Sequence, residues 1–310
     1  MSIAAAPLFR DPVYDGAADP TVVWNRQEAQ WWILYTSRRA NSHAHGLSWV
    51  HGTDIGVASS NDNGETWLYR GVLNIEPVEP GHNTFWAPEV IWHENLYHMY
   101  VSYITGVPDT WAGERHILHY TSVDLWNWKY ESRVQLSSDR VIDACVFQKR
   151  DGGFRMWYKD EADGSHTHAA DSADLFRWHT IGRQTHDCAQ EGPNVFEFGG
   201  KYWLIADMWQ GIAVYSGFDL DHWTRQSTNL LSDAGTRRED KNRGHHADVL
   251  VAGELCYIFY FVHPGRAHVS EDVDTYDTRR SSLQAAQLIV KDGQLCALRE
   301  GFPFYLPEID

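Results

Sequence analysis

The chain has 310 residues and a formal net charge of −16, with 26 Lys and Arg against 42 Asp and Glu. An acidic chain repels nucleic-acid phosphates, and no cluster of basic residues offsets this, so nucleic acid is not expected as a partner. No stretch is long and apolar enough to span a membrane, so a membrane is not expected as a partner either. The composition, 43% hydrophobic and 14% aromatic, indicates a globular protein with more aromatic rings than a core needs. It leaves the oligomeric state open.

The cysteines and the N-terminus bear on the cellular compartment. Cys145, Cys188, Cys256 and Cys296 form no C-x-x-C pair, which argues against a zinc knuckle or redox pair and favours buried free thiols over disulfides. Residues 1–10 contain neither a basic stretch nor a sustained apolar stretch, so no signal peptide is visible. Both features favour a cytoplasmic protein, whereas a chain trimmed of its leader would be periplasmic or secreted.

Five short segments with one pattern recur along the chain, each a turn-like start followed by a β-rich run. In chain order they begin with Asp19-Pro20, Ala87-Pro88, Asp143-Ala144, Gly192-Pro193 and His246-Ala247. A second run with alternating aromatic residues follows each one, and this period-two alternation indicates strands rather than helices. Five units of about four strands predict an all-β protein, a five-bladed β-propeller that forms a single domain over 1–310. Its blades open near residues 19, 87, 143, 192 and 246.

A second repeat follows each of the first four segments. The pattern Ser-x-Asp-Leu-x-x-Trp occurs at 122–128 and 172–178, with a shorter form at 219–223 and a Gly-containing form at 60–67. Asp and Gly at these positions suit tight hairpin turns. We expect these hairpins on the face opposite to the segment starts, with their Asp and Trp residues in turn and packing roles.

The blade geometry predicts which loops share a face with the five segment starts. In each blade the connection from the second to the third strand returns to that face. Long loops on one face of a rigid scaffold are where binding sites usually form. The loops expected there are 37–53, 104–116, 159–167 and 207–211.

The segment starts also bring charged side chains together on the predicted axis. Aligned on their shared Val, Asp19, Asp143 and His246 occupy one structural position, and Glu191 lies one residue before it in the fourth segment. Converging acids carry a desolvation cost unless they are paired, hydrated or used in catalysis. The simplest use is glycoside chemistry, in which one carboxyl keeps its proton as an acid and another stays ionised as a base or nucleophile.

The order of these motifs resembles glycoside hydrolase family 43, and the resemblance extends over residues 17–265. The motifs that carry it are Asp19-Pro20, Trp86-Ala87-Pro88, Ile142-Asp143, Glu191-Gly192-Pro193 and Gly244-His245-His246. The resemblance implies that Asp19 is the general base that activates water, that Glu191 is the general acid, and that Asp143 orients the acid and raises its pKa. It also implies an inverting hydrolase that releases pentosyl units from plant-type polysaccharides or oligosaccharides.

Two positions depart from the family pattern. Ala144 replaces the Pro that commonly follows the second Asp, which loosens a turn without removing the carboxylate. The last motif has two histidines, and its spacing to Val249 assigns His246, not His245, to the axial position. The resemblance implies no required cofactor but allows a structural calcium ion in the central channel, which His246 would contact through water because calcium prefers oxygen ligands. The alternative is a hydrogen-bonded channel histidine without a metal.

The candidate sugar-binding residues lie in the loops at the same face. Aromatic faces pack on sugar C–H surfaces while polar groups bind hydroxyls, and Trp86 beside the second motif is the first candidate. The others are Arg38, Lys159, Trp209, His245 and His246, with Arg39, Trp49, Trp111 and Asp160 in the same loops. Because the chain has no room for the β-sandwich that some relatives append, an α-L-arabinofuranosidase is favoured over a typical β-xylosidase. An exo-galactanase-like glycosidase is a further alternative.

Two rival interpretations use the same architecture. Residues 60–67 fit the Asp-box hairpin of sialidases, but the other three hairpins do not, and a sialidase would need an arginine triad and a Tyr nucleophile. A non-catalytic glycan-binding propeller would use the same aromatic loops and would need no acids at the axis. Three acids in corresponding positions of different blades argue against this second alternative.

Overall fold

Strands form nearly all of the regular structure, in five antiparallel sheets arranged around one axis. The computed structural model describes residues 2–43, 45–270 and 272–309. The innermost strands of neighbouring sheets contact each other around the whole ring, which confirms the predicted five-bladed β-propeller. The predicted domain, 1–310, includes residues 1, 44, 271 and 310, which lie outside the described residues.

The blades follow one another in chain order after the short strand β1 (Ser2–Ile3). The first blade contains β2 (Ala17–Asn25), β3 (Gln30–Ser37), β4 (Asp54–Ser60) and β5 (Leu68–Val72). The second contains β6 (Asn74–Ile75), β7 (Thr84–His93), β8 (Leu96–Ile104), β9 (His116–Ser122) and β10 (Asn127–Arg133). The third contains β11 (Val141–Gln148), β12 (Phe154–Asp160), β13 (His166–Ser172) and β14 (His179–Arg183).

The fourth and fifth blades complete the ring. The fourth contains β15 (Glu191–Phe198), β16 (Lys201–Asp207), β17 (Ile212–Gly217) and β18 (Thr224–Arg225). The fifth contains β19 (His245–Ala252), β20 (Leu255–Val262), β21 (Ser282–Lys291) and β22 (Gln294–Leu298), and β23 (Pro303–Phe304) follows it. Two 3₁₀ helices (Gly46–Trp49 and Pro264–Arg266) and the one-turn helix α1 (Tyr276–Arg279) lie in connections. No helix in the described part of the chain could cross a membrane.

Each innermost strand begins with a bulge that sets the direction of its axial side chains. In β2, Ala18 pairs with Thr36 and Thr21 pairs with Leu34, so residues 19 and 20 are left without partners on β3. Equivalent two-residue bulges lie at 87–88, 143–144 and 192–193, and a one-residue bulge lies at His246. The first bulge residue has a positive φ in four blades, with values of 48° at Asp19, 46° at Ala87, 61° at Asp143 and 54° at Gly192.

Side chains of the preceding blade satisfy the N–H groups of several bulge residues. In three blades an oxygen on the second strand accepts a hydrogen bond from the bulge N–H of the next blade. These bonds, of 2.9, 2.9 and 3.1 Å, run to Thr36 Oγ1 from Ala87, to Ser102 Oγ from Asp143, and to Asp207 Oδ2 from His246. The three acceptors occupy equivalent positions, each opposite the residue that precedes the bulge in its own blade. They tie three of the five blades to the next one, and they give a partner to a backbone N–H that would otherwise carry the cost of an unpaired group.

The Asp-containing hairpins join the third strand to the fourth on the opposite face, as predicted. Asp124 Oδ1 accepts hydrogen bonds from the backbone N–H groups of Trp126 and Asn127, both at 2.8 Å. Asp62, Asp174 and Asp219 bind the N–H groups of their own turns in the same way. These side chains stabilise turns far from the cavity described below.

Both ends of the described chain pack into the seam between the first and last blades. β1 pairs with β23, and the backbone N–H of Leu8 donates to the carbonyl of Leu283 in β21 at 2.8 Å. Phe302, Phe304 and Leu306 join one core with residues of blades one and five. The ring is therefore closed by segments outside the blades rather than by a blade shared between the two ends.

The four cysteines are free thiols, as predicted. Cys145 and Cys256 are buried, but Cys188 and Cys296 are only half-buried. The prediction of burial is therefore wrong for the latter two, because Cys188 lies between blades three and four and Cys296 lies on the outermost strand β22.

Replacing Phe304 with Ala tests the seam. Phe304 is 2% exposed, and its ring centroid lies 5.0 Å from that of Tyr257 in the fifth blade. We expect Phe304→Ala to lower the free energy of unfolding by about 3 to 5 kcal/mol, measured by urea denaturation. Tyr305→Ala is the matched control because Tyr305 is 38% exposed, and its cost should stay near about 0.5 kcal/mol. Equal costs for the two variants would contradict this role of the seam.

Candidate active site

A cavity of about 410 Å³ lies at the axis, on the face where the innermost strands begin. All nine site residues predicted from the sequence line it: Asp19, Arg38, Trp86, Asp143, Lys159, Glu191, Trp209, His245 and His246. The bulges explain this convergence, because they place the first residues of the innermost strands at the mouth of the ring. Trp111, one of the predicted loop residues, also lines the cavity.

Three other loop residues do not line the cavity, so their prediction as sugar-binding candidates is wrong. Arg39 is turned into its own loop, where Nε donates to the carbonyl of His51 at 3.0 Å. Trp49 is buried, with the guanidinium of Arg279 5.4 Å from its ring centroid. Asp160 accepts hydrogen bonds from the hydroxyls of Ser137 and Ser138, at 2.5 and 2.7 Å respectively.

Five further residues, which were not predicted from the sequence, line the cavity: Val50, Ile142, Glu161, Phe261 and His263. His263 lies in the connection 263–281 of the fifth blade, which was absent from the predicted loops. Phe261 pairs with His245, just as Lys159 pairs with Ile142. Extending the alignment of the repeats from the first strand to the second would have identified Phe261.

Asp19 is a nearly buried carboxylate with a cationic partner. It is 5% exposed, and Arg38 Nη2 lies 3.0 Å from both of its oxygens. The guanidinium of Arg38 is held in turn by the ring of Phe261, at 4.8 Å from the centroid. His246 takes the axial position as predicted, and its Nδ1 lies 3.5 Å from Asp19 Oδ1. These contacts hold the Asp19 carboxyl group in place at the cavity wall.

Each carboxylate oxygen of Glu191 accepts a hydrogen bond from a neighbouring side chain. Lys159 Nζ lies 3.0 Å from Oε2, and the indole Nε1 of Trp209 lies 3.0 Å from Oε1. Burial alone would raise the pKa of Glu191, but the charge and hydrogen bond of Lys159, helped by the charges of His246 and Arg38, hold it below its usual range. At neutral pH Glu191 is therefore a carboxylate.

The pKa of Asp143 is shifted in the opposite direction to that of Glu191. It is 5% exposed, and its Oδ2 accepts a hydrogen bond from the Gly192 N–H at 3.1 Å. Burial raises the pKa of Asp143 to about 6, with Glu191 and Asp19 adding to the increase and the charges of His246 and Lys159 opposing it. The resemblance implies a raised pKa for Glu191 instead, and the direction differs because Lys159 outweighs Asp143. The role of Asp143 in orienting the acid stays a prediction.

One buried carboxylate that the sequence analysis did not single out positions three residues around the cavity. Asp207 is 1% exposed, and its Oδ2 lies 3.0 Å from His245 Nδ1 and accepts the bulge N–H of His246. Its Oδ1 accepts the backbone N–H of Trp209 at 2.7 Å. Asp207 thus fixes the two histidines and the loop that brings the indole of Trp209 to Glu191.

Indole rings line the mouth of the cavity. Trp86 is nearly buried, and its Nε1 donates to the carbonyl of Val50 at 2.6 Å. The ring of Trp111 packs edge to face against Trp86, with centroids 6.2 Å apart, and Trp111 and Trp209 are 55% and 41% exposed. Exposed indole faces beside carboxylates suit a sugar, which presents C–H surfaces and hydroxyls together.

The structural calcium ion that the resemblance allows in the central channel stays a prediction. Below the cavity, Asp248 projects from β19, but its Oδ2 accepts the Val22 N–H at 2.8 Å and its Oδ1 accepts from the Asn194 amide at 2.9 Å. Within the described ranges, no group of three or more His, Cys, Asp or Glu side chains is arranged to hold a metal ion. No step described below is assigned to an ion.

The fold and the cavity define a class: five-bladed propellers with acids from different blades around an axial cavity. Among solved structures, a thermostable family-43 glycoside hydrolase is similar over 96% of this chain and 99% of its own, with 20% identity and a TM-score of 0.71. A family-43 β-xylosidase/α-arabinofuranosidase from a compost microbial metagenome, in complex with xylotriose, matches over 93% and 95%, with 15% identity and a TM-score of 0.67. A family-43 β-1,3-galactosidase with galactodeoxynojirimycin matches over 95% and 98%, with 14% identity and a TM-score of 0.68.

The chain therefore has the fold of the family-43 glycoside hydrolases, as the resemblance of its motifs implies. No protein-family model matches the sequence, and no curated protein matches it either. At these low identities the likeness is one of fold, and what the protein does has to be argued from the residues of its cavity.

The pKa of Asp143 predicts a pH-dependent stability. With a pKa of about 6 when folded against an ordinary 3.8, Asp143 retains a proton in the native state that the unfolded chain loses between about pH 4 and 6. The contribution of Asp143 to the free energy of unfolding is therefore greatest below about pH 4 and is lost as the pH rises through about 6. Asp143→Asn should be more stable than the wild type at pH 7, with the difference vanishing near pH 4. Urea denaturation at four pH values measures this, and a constant difference across them would contradict it.

Proposed function

We propose that the protein is an inverting glycoside hydrolase that releases pentosyl units, foremost α-L-arabinofuranosyl units, from plant-type polysaccharides or oligosaccharides. The observation that carries the proposal is the convergence of Asp19, Asp143 and Glu191 from three blades on one cavity, each with a different set of partners. A glycan-binding propeller has no use for three desolvated acids, whereas hydrolysis of an O-glycosyl bond needs one acid and one base.

In the proposed reaction Asp19 and Glu191 act on opposite sides of the sugar. Asp19 takes a proton from a water molecule as the water oxygen bonds to the anomeric carbon. The bond from this carbon to the glycosidic oxygen breaks, and Glu191 gives its proton to that oxygen. The products are a free sugar of inverted configuration and the shortened glycan alcohol. Asp19 then releases its proton to solvent, and Glu191 takes up another.

The size and lining of the cavity support a small terminal sugar. A cavity of about 410 Å³ behind exposed Trp111 and Trp209 suits one enclosed sugar with a second at the mouth. Two alternatives keep the same chemistry, a β-xylosidase and an exo-galactanase-like enzyme, and the structural neighbours include a β-xylosidase and a β-1,3-galactosidase. Hydrolysis of 4-nitrophenyl α-L-arabinofuranoside and 4-nitrophenyl β-D-xyloside, followed by chromatography of products from a panel of plant polysaccharides, distinguishes them.

The role of Glu191 predicts a dependence on the leaving group. Glu191→Gln should slow hydrolysis of natural, poorly leaving glycosides by roughly 10²- to 10⁴-fold and that of activated aryl glycosides far less, because a good leaving group hardly needs a proton. Asp19→Asn should slow both kinds alike, since water must still lose its proton. Measuring kcat/KM for both substrates in both variants tests this. Equal losses in Glu191→Gln would remove Glu191 from the role of acid.

The role of Asp19 predicts the stereochemistry of the product. If Asp19 activates water directly, with no covalent sugar intermediate, the first-formed sugar has the opposite anomeric configuration to the substrate. Proton NMR during the first minutes of hydrolysis, before the anomers interconvert, should show this inversion. A retained configuration would make the base a nucleophile and contradict the proposed mechanism.

A further inference from the structure

Lys159 departs from the pattern that ties the blades together. Its register position, opposite the residue before the bulge, is held by Thr36, Ser102 and Asp207 in three other blades, and each accepts the bulge N–H of the next blade. A lysine ammonium is a donor and cannot accept that N–H. The Gly192 N–H is bound by Asp143 instead. In the third blade this position therefore holds a buried cation that faces the cavity instead of a hydrogen-bond acceptor for the next blade.

The ammonium of Lys159 bridges two carboxylates. Its Nζ lies 3.0 Å from Glu191 Oε2 and 3.3 Å from Glu161 Oε1, and the residue is 5% exposed. Glu161 is itself anchored by Arg115 at 2.5 Å and by Arg140 at 3.3 Å. If Glu191 turned away or became neutral, Lys159 would keep Glu161 as a partner and would not be left as an unpaired buried charge.

The surroundings of Glu191 in the empty cavity suit a carboxylate rather than a carboxylic acid. Lys159 and the indole of Trp209 both donate hydrogen bonds to Glu191, and neither can accept a hydrogen bond from a protonated carboxyl group. The other charged groups that face Glu191 are Asp143 from β11, His246 from β19 and Arg38 beyond β3. Asp143 disfavours the charge on Glu191, while the cations favour it, and Lys159 is the one in direct contact.

We infer that Lys159 is a positioning residue that holds Glu191 as a carboxylate in the empty cavity and releases it when a glycoside enters. This inference rests on the proposed hydrolase function. The leaving-group oxygen of the glycoside occupies the place beside Glu191, Lys159 stays with Glu161, and Glu191 takes up a proton from solvent. The acid is therefore loaded on substrate binding, and a carboxyl group that is ionised in the free protein acts as a proton donor in the complex.

Two pH profiles of the wild type test the release. The alkaline limb of kcat/KM reports the acid in the free protein, and that of kcat reports it in the complex. We expect the limb of kcat to lie above that of kcat/KM by roughly 1 to 3 pH units, the shift that an opposite charge at this distance produces. Lys159→Met should move the limb of kcat/KM upward until the gap closes. Lys159→Arg keeps the charge and should leave the gap open.

A titration that does not depend on activity completes the test. The carboxyl stretch of Glu191, isolated as the infrared difference between each protein and its Glu191→Gln counterpart, gives the titration midpoint of Glu191 directly. This midpoint should rise by roughly 1 to 3 pH units in Lys159→Met and stay in place in Lys159→Arg. If Lys159→Met does not fold, Lys159→Gln provides a neutral hydrogen-bonding side chain and should also raise the midpoint. A midpoint unchanged in the folded neutral variant would overturn the inference.

The outcomes separate this inference from the proposed function. A wild type that hydrolyses no glycoside of the panel, with a midpoint that still rises in Lys159→Met, would reject the function and support the pairing of Lys159 with Glu191. If the wild type is active but the alkaline limbs of kcat and kcat/KM coincide, both in the wild type and in Lys159→Met, the proposed function would be supported and the release of Glu191 overturned. A purely structural Lys159 would change the melting temperature and move neither the limbs nor the midpoint.

Discussion

The left-handed backbone at the start of the innermost strands is the constraint on which the cavity depends. A non-glycine residue in this region costs of order 1 to 3 kcal/mol, and the cost persists only where the surrounding structure holds the conformation in place. Asp19 and Asp143 have this conformation, which Asp tolerates better than most residues. At Gly192 a Cβ would lie 2.5 Å from the ring of His246, so close approach excludes any side chain there. Two of the three acids at the axis, Asp19 and Asp143, therefore lie at strained positions, and the third, Glu191, directly precedes the equivalent residue, Gly192.

Hydrogen bonds between blades hold this strained mouth in place, and they also set the electrostatics. Where the second strand supplies an oxygen, as at Ser102, the bulge of the next blade is fixed and no charge is introduced. Where it supplies Lys159, a cation enters the cavity wall and the neighbouring acid is ionised. Asp143 lacks such a contact and keeps its proton to a higher pH. A change of residue type at one register position therefore separates the pKa values of two acids that share a cavity.

The sequence predicted much of the fold because its repeats are local. The segment starts at Asp19, Asp143 and His246 recur at blade spacing, and the strand pattern around them has a period of two, so blade number and axial residues could be read without contacts. The directions of the pKa shifts could not be obtained this way. They depend on Lys159 crossing from one blade to an acid of the next, a contact that joins residues 32 positions apart and leaves no trace in the repeat. Asp207 was missed for the same reason, since two of its three partners, His245 and His246, lie on another blade.

The seam between the first and last blades has a consequence for how the chain is made. During synthesis β1 emerges before the five blades, but its partner β23 leaves the ribosome only after them. Until then the apolar surface that Phe302, Phe304 and Leu306 later cover on the first blade stays open to solvent. The interval between these two events is the period when the nascent protein is most open to chaperones and to aggregation. Because all five blades lie between β1 and β23, slower translation of any blade lengthens this interval and should lower the yield of folded protein.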